Sequence, residues 1–179
     1  MTARIRFAID AGSGYIDDRG KRHNSATGWA IYDPNEDKLI DAGEIRTFGK
    51  SVTWKRTREL ANNIRTKLTV ATSVYGPLEV RIEVFVMKGV AAEVLYRLTG
   101  AYIAAIPMNA DFVEIHNITL KKDLTGNGKA DKTAIAEALV LRFANCKKSL
   151  DIIKGLIDNN NEDALDAIAI AICRERLKG

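Results

Sequence analysis

Residues 78–86 read LEVRIEVFV. The run is rich in β-branched and aromatic side chains and spells a strand. A strand turns alternate side chains to opposite faces. Glu79, Arg81 and Glu83 therefore share one side, and Ile82 and Val84 share the other. On a sheet with one wet face this is an ordinary solvent-facing row of charge. The flanking sequence points elsewhere. Residues 51–75 place Leu60, Ile64 and Leu68 at i, i+4 spacing among Lys and Arg, the pattern of an amphipathic helix with a basic outer face. Residues 90–106, VAAEVLYRLTGAYIAAI, form a second helix that is apolar on more than one face. Helices on both sides of the strand leave no wet face. A carboxylate at Glu83 is then buried, and needs a cation or a metal to offset its desolvation.

Further out, residues 4–10, RIRFAID, alternate as a strand, followed by strands at 27–33 and 38–48 with Asp33-Pro34-Asn35 as the turn between them. Three strands in succession predict an antiparallel meander. A fifth strand is predicted at 111–118, a helix at 130–145, and a last helix from Glu162 to about Leu177 with Asn161 as its cap. Pro34, Pro77 and Pro107 stand at handovers between elements. The expected order is βββαβαβαα. It gives an α/β domain with a mixed five-stranded sheet, its first three strands antiparallel.

The chain has 179 residues, enough for one domain spanning 1–179 with a full core at 46% apolar content. Its net charge is +4, an excess that permits a nucleic-acid partner without proving one. Cys146 and Cys173 lie in apolar helical patterns and read as reduced thiols, and no Cys/His spacing suits zinc. The N-terminus has no signal-peptide pattern, and no apolar run approaches a membrane span. A cytoplasmic protein is expected.

Three further acids sit in suggestive places. Asp10 ends its strand just before Ala11-Gly12-Ser13-Gly14, where a carboxylate at a sheet rim is open to ligands; it could also merely start the turn. Asp163 and Asp166 stand at i, i+3 on the last helix. Acids in a first turn are favoured by the helix dipole, which accounts for Glu162 and Asp163. Asp166 lies deeper, ahead of the buried run AIAIAIC, and wants a partner. Four acids brought together raise one another's pKa unless positive charge is present. Oxygen ligands without Cys or His suit Mg²⁺ or Mn²⁺.

The motifs resemble the RuvC-like Holliday-junction resolvases. FAIDAGSG followed by TGWAIYD is similar to that family's opening strands, VRIEVFVMKG to its central strand, GNGKADKTAIAEAL to its Gly-x-Gly-x-Ala-x-Lys stretch, and NEDALDAIAIAIC to its last helix. The four segments occur in the family's order. The resemblance implies a ribonuclease H-like fold and two divalent ions, Mg²⁺ or Mn²⁺, held by Asp10, Glu83, Asp163 and Asp166, with Lys132 facing the scissile phosphate. It implies a homodimer that cuts four-way junctions, without a membrane partner, of the kind carried by phages and prophages. The helix at 90–106, with small residues such as Gly100 and Ala101 on its second face, is the expected dimer contact.

Two departures stand out. The loop after Gly14 is long and polar, and Arg19, Lys21, Arg22 and His23 could contact DNA or be solvated. The aromatic that relatives carry three residues after the strand Glu is here replaced by Val86, with Phe85 one position earlier and on the other face. Lys121, Lys122 and Lys129 are lesser candidates for backbone contacts. A sugar-kinase or actin-like ATPase, suggested by IDAGSG alone, needs a second domain for which the chain has no room. Another ribonuclease H-like nuclease, acting on RNA–DNA hybrids or nicking branched DNA generally, and a non-catalytic DNA-binding protein are the remaining alternatives.

Overall fold

The computed structural model describes residues 3–12, 26–47, 53–84 and 90–174. Five strands form one sheet: β1 (Arg6–Ala11), β2 (Ala26–Asp33), β3 (Lys38–Arg46), β4 (Glu79–Val84) and β5 (Asp111–His116). Their order across the sheet is β3-β2-β1-β4-β5. The first three are antiparallel neighbours, and β4 and β5 run parallel to β1. The expected mixed sheet is therefore present, with its antiparallel meander on one side and parallel strands on the other.

Among the described residues there are six helices: α1 (Thr53–Tyr75), α2 (Val90–Ile103), α3 (Asn117–Thr125), α4 (Lys132–Arg142), α5 (Lys147–Asp158) and α6 (Glu162–Ile172). They cover both faces of the sheet, because a sheet with apolar residues on both sides must bury both. On one side Phe7, Ile9, Trp29, Val80 and Ile82 pack under Leu60, Ile64 and Leu68 of α1 and Leu98 and Tyr102 of α2. On the other, Ala8, Ala30, Leu39 and Ile115 meet α6, with α3, α4 and α5 behind it. Helix α6 is buried from Ala164 through Ile172, apart from Asp166, as AIAIAIC predicts.

Two helices escape the sequence reading. Residues 117 and 118 were expected in the fifth strand, but β5 ends at His116 and Asn117 opens α3. This short helix buries only Leu120 and leaves Ile118 70% exposed, so it has no apolar stripe to announce it. Helix α5 buries Ser149, Ile153 and Leu156, where the polar serine breaks the stripe. Ser149 is buried for a reason: its hydroxyl accepts from the Leu39 backbone N–H at 3.0 Å, on the outer strand β3. The last helix ends at Ile172, short of Leu177, because Cys173 turns to extended backbone. The cysteines are free; Cys173 is buried, and Cys146 is half-buried just ahead of α5 and outside any helix. Among the described residues no helix is long and apolar enough to cross a membrane.

Candidate metal centre

The C-terminal ends of β1 and β4 lie side by side, and α6 starts across them. Asp10 pairs with Gly28 in the β1–β2 register, and Ile9 with Ile82 in β1–β4. Even positions of β1 thus face α6, together with Glu79, Arg81 and Glu83 of β4. Asp10 and Glu83 are both buried, each 6% exposed.

Glycine lets the helix come down onto them. A Cβ on Gly28 would lie 1.7 Å from the Asp163 carbonyl oxygen, and one on Gly12 would lie 2.3 Å from the Ala26 carbonyl oxygen and 3.1 Å from Asp163 Oδ2. Any side chain at Gly28 would lift the first turn of α6 off the sheet. With glycine there, carboxylate oxygens of Asp10, Asp163 and Asp166 all lie within 4.8 Å of one another. Glu83 joins them through a side-chain hydrogen bond with Asp10, and its Oε1 accepts from Asn117 Nδ2 at 2.6 Å. Carboxylates from β1, β4 and α6 therefore converge, which the sequence pattern alone does not show.

Their electrostatics express a shortage of positive charge. Burial, and then the charge of Glu83, push Asp10 well above the ordinary carboxylate range. Burial raises Glu83 as well, although its bonds from Asn117 and Asp10 work the other way. Asp166 is pushed up to about 6, chiefly by burial; Lys132 and Lys121 pull it down, and Glu83 and Asp163 push it up. Asp163 is raised by burial and then by Glu44. A four-carboxylate oxygen set in which every pKa is raised fits a hard divalent cation.

Lys132 opens α4 behind Asp131, whose carboxylate caps the helix by accepting from the Ala134 N–H. Its Nζ lies 2.6 Å from Glu162 Oε2 and 4.0 Å from Asp166 Oδ2. It is half-exposed at the rim, beside a small cleft that Asn161 and Leu165 also line. Lys121 is half-buried on α3, and its charge acts on both Glu83 and Asp166. It belongs nearer the centre than its expected role as a peripheral backbone contact. Lys122 and Lys129 are exposed, and among the described residues neither forms an ion pair with the four acids. Arg19, Lys21, Arg22, His23 and Phe85 lie outside the described residues.

Two participants escape the sequence reading. Asn117 was assigned to a strand, and its link to Glu83 depends on α3 starting where it does. Glu44, on β3, accepts from the Asp163 backbone N–H at 3.2 Å. Its only sequence signal is alternation, which puts it on the same face as Asp10.

The family described as crossover junction endodeoxyribonuclease RuvC matches residues 18–174. That span contains Glu83, Lys132, Asp163 and Asp166 but not Asp10, whose place rests on the geometry above. A RuvC endonuclease from Wolbachia sp. subsp. Drosophila simulans (strain wRi) is 30% identical over 164 residues, covering 87% of this chain and 90% of the relative. One from Caldicellulosiruptor saccharolyticus is 30% identical over 154 residues, covering 82% and 84%. The solved structure of T. thermophilus RuvC in complex with Holliday junction substrate superposes with a TM-score of 0.62 at 17% identity, over 94% of this chain and 90% of that one, so the ribonuclease H-like fold is shared. The chain belongs to the RuvC family of crossover junction endodeoxyribonucleases.

Proposed function

We propose that this protein is an endonuclease, dependent on Mg²⁺ or Mn²⁺, that cuts four-way DNA junctions. The observation that carries this reading is the convergence of three carboxylates within 4.8 Å, with Glu83 bonded to one of them, on the rim of a sheet whose fold is that of a junction-bound relative. Asp10, Glu83, Asp163 and Asp166 would hold two divalent ions. Bound there, such a pair supplies activated water and a counter-charge for the leaving oxygen of the phosphodiester. The chain's own residues do the rest. Glu83 and Asp10 fix the inner edge of the site from rigid strands. Asp163 and Asp166 close it from α6, and Asn117 sets the Glu83 carboxylate. Lys132 and Lys121 place positive charge where the scissile phosphate would approach, which draws the DNA strand in and stabilises charge developing on it. A non-catalytic DNA-binding role would not require four acids to be gathered at the cost of their repulsion.

A homodimer through the outer side of α2 fits the same reading. Leu95, Leu98 and Tyr102 are buried on the inner side of the helix, whereas Tyr96 and Ile103 are 54% and 43% exposed, with Gly100 beside them. Ala101 packs partly inward and does not belong to the outer stripe. Two sites related by a two-fold axis suit a symmetric junction.

The test is a panel of labelled substrates: a four-way junction, a fork, an RNA–DNA hybrid and a plain duplex, each with Mg²⁺ or Mn²⁺, together with a supercoiled plasmid that extrudes a cruciform. Paired nicks in opposite strands of the junction, and a linearised plasmid, are expected. Preferred cutting of the hybrid, or open-circle product only, would replace this reading with a hybrid nuclease or a branched-DNA nickase.

A further inference from the structure

Asp10, Gly28 and Glu44 occupy one rung of the sheet, on β1, β2 and β3 in turn. The middle place is bare, and the first turn of α6 rests on it, with the Asp163 backbone over Gly28. A carboxylate therefore stands on either side of the helix start. Asp10 meets the side chains of Asp163 and Asp166. Glu44 meets the backbone instead.

The first N–H groups of a helix have no acceptor within the helix. Asn161, in the N-cap position of α6, makes no side-chain cap. Glu44 Oε1 supplies the missing acceptor from another strand, at 3.2 Å from the Asp163 nitrogen. The other Glu44 oxygen is held by Arg46, whose Nε donates to Oε2 at 2.6 Å and whose Nη2 donates to Asn161 Oδ1 at 2.9 Å. Glu44, Arg46 and Asn161 thus form a clasp around the beginning of α6. The Glu44 side chain is only 5% exposed. Both of its oxygens are committed, so it is placed to orient the cluster and not to join it.

We propose that Glu44 is a positioning residue for the metal centre: by holding the Asp163 N–H it fixes the register of α6 on the sheet, and with it the approach of two carboxylates to Asp10. This rests on the reading of the four acids as metal ligands. Its output is affinity for the divalent ion. The Glu44 carboxylate lies on the far side of α6's first turn from Asp10, so its loss should leave the affinity for junction DNA unchanged.

The experiment measures Mn²⁺ uptake by the full chain without DNA, from the loss of the free-ion electron paramagnetic resonance signal, and junction cleavage across a Mn²⁺ series. Glu44→Ala is expected to weaken Mn²⁺ binding about tenfold, the scale for losing an outer partner of a metal ligand. The Mn²⁺ concentration for half-maximal cleavage should rise by the same factor, while the rate at saturating Mn²⁺ falls less than about threefold. Glu44→Gln keeps an oxygen for the Asp163 N–H, and half-exposed Arg46 can turn to solvent, so this variant should stay within about threefold of the wild type. Wild-type Mn²⁺ affinity in Glu44→Ala overturns the proposal. So does a Glu44→Gln defect equal to that of Glu44→Ala, which would make the charge and not the hydrogen bond the active feature. Should Glu44→Ala fail to fold, Glu44→Asp, which keeps the charge but draws the carboxylate back from the Asp163 N–H, carries the test: a several-fold loss of Mn²⁺ affinity supports the proposal and wild-type affinity ends it. If the wild type itself takes up no Mn²⁺, the metal reading falls and Glu44 with it. If the wild type binds and Asp10→Asn does not, while Glu44→Ala binds like the wild type, only the role of Glu44 falls.

Discussion

Helix α6 lies over ionisable side chains at both of its ends, and the two ends treat them in opposite ways. At the C-terminal end Glu79 is buried between two guanidinium groups. Arg81 Nε donates to Glu79 Oε1 at 2.8 Å, and Arg6 Nε lies 3.1 Å from the same oxygen. The Nη1 atoms of both arginines reach the end of the helix: that of Arg81 bonds to the carbonyls of Ile170 and Cys173, and that of Arg6 to the carbonyl of Ala171. Those carbonyls are the ones a helix leaves without partners, and cations are favoured beside them. At the N-terminal end, four residues further along the same face of β4, Glu83 meets Asp10 and two more acids. Among the described residues one ion pair reaches this group, Lys132 at 4.0 Å from Asp166. Glu79, Arg81 and Glu83 share a strand, a face and nearly the same burial. A buried charge that serves the fold comes with its counter-charge built in. A buried charge left for a ligand does not.

The sharpest way to break this contrast is to neutralise one member at each end. Asp10→Asn, or Asp166→Asn, should reduce junction cleavage by at least ~10³-fold, the scale of removing a principal electrostatic element from an active site. The fold should survive, with a metal-free melting temperature equal to or above that of the wild type, because a repulsion has been removed. A variant that still cuts at near the wild-type rate would take that residue out of the site.

The opposite substitution, Arg81→Ala, should act on stability first. It removes one guanidinium partner of Glu79 and the donor to the carbonyls of Ile170 and Cys173. Breaking a buried pair from one side costs about 3–5 kcal/mol. In a chain of this size that is roughly a 6–20 °C fall in melting temperature. Cleavage by the protein that remains folded should be close to wild type. An Arg81→Ala protein that melts with the wild type would show that its charge is as unneeded by the fold as those at the other end.

The contrast also marks what could be read from the sequence. Asp10 stood out because a strand ending in Asp before glycines puts a carboxylate at a sheet rim, although such a residue can also merely start the turn, and Asp166 because an acid ahead of the buried run AIAIAIC wants a partner. Glu83 was legible only through its neighbours, since alternation alone makes it a surface charge and the helices on either side make it a buried one. The pairing of Glu79 with Arg81 follows from the same alternation. Glu44 and Asn117 were not legible. Their roles come from contacts across 119 and 34 residues of sequence, and Asn117 needs a helix start that its β-branched neighbours Ile118 and Thr119 disguise. Lys121 was seen as a cation but not as one close to the acids, because α3 itself was missed. Gly28 looked like part of a motif. Its reason, the Asp163 backbone resting where a Cβ would be, exists only once α6 is placed.

The smallest expected effect is a dependence of stability on pH and metal that belongs to one end of α6 alone. Asp166 is raised from 3.8 to about 6, and Asp10 is raised well above 3.8, both mainly by burial. A carboxyl whose folded pKa exceeds its unfolded value makes the folded state bind the proton more tightly. The stability tied to that proton is complete below about pH 4 and is lost as pH rises through about 6, with Asp10 extending the loss upward. The metal-free protein should therefore lose part of its melting temperature between pH 4 and 7. A divalent ion supplies the missing charge, and it competes with those protons. At pH 7.5, with Mg²⁺ at a hundred times its dissociation constant, binding adds about 2.7 kcal/mol, or roughly 5–10 °C. At pH 5 the same Mg²⁺ concentration should add much less, because the ion must first displace the protons. Asp166→Asn should flatten the metal-free profile near pH 6 and reduce the Mg²⁺ shift at pH 7.5. Scanning calorimetry of both proteins at a series of pH values, with and without Mg²⁺, reads these slopes directly. A Mg²⁺ shift as large at pH 5 as at pH 7.5 would mean that the ion binds elsewhere on the protein, and that the acids under the start of α6 are compensated by a contact other than metal.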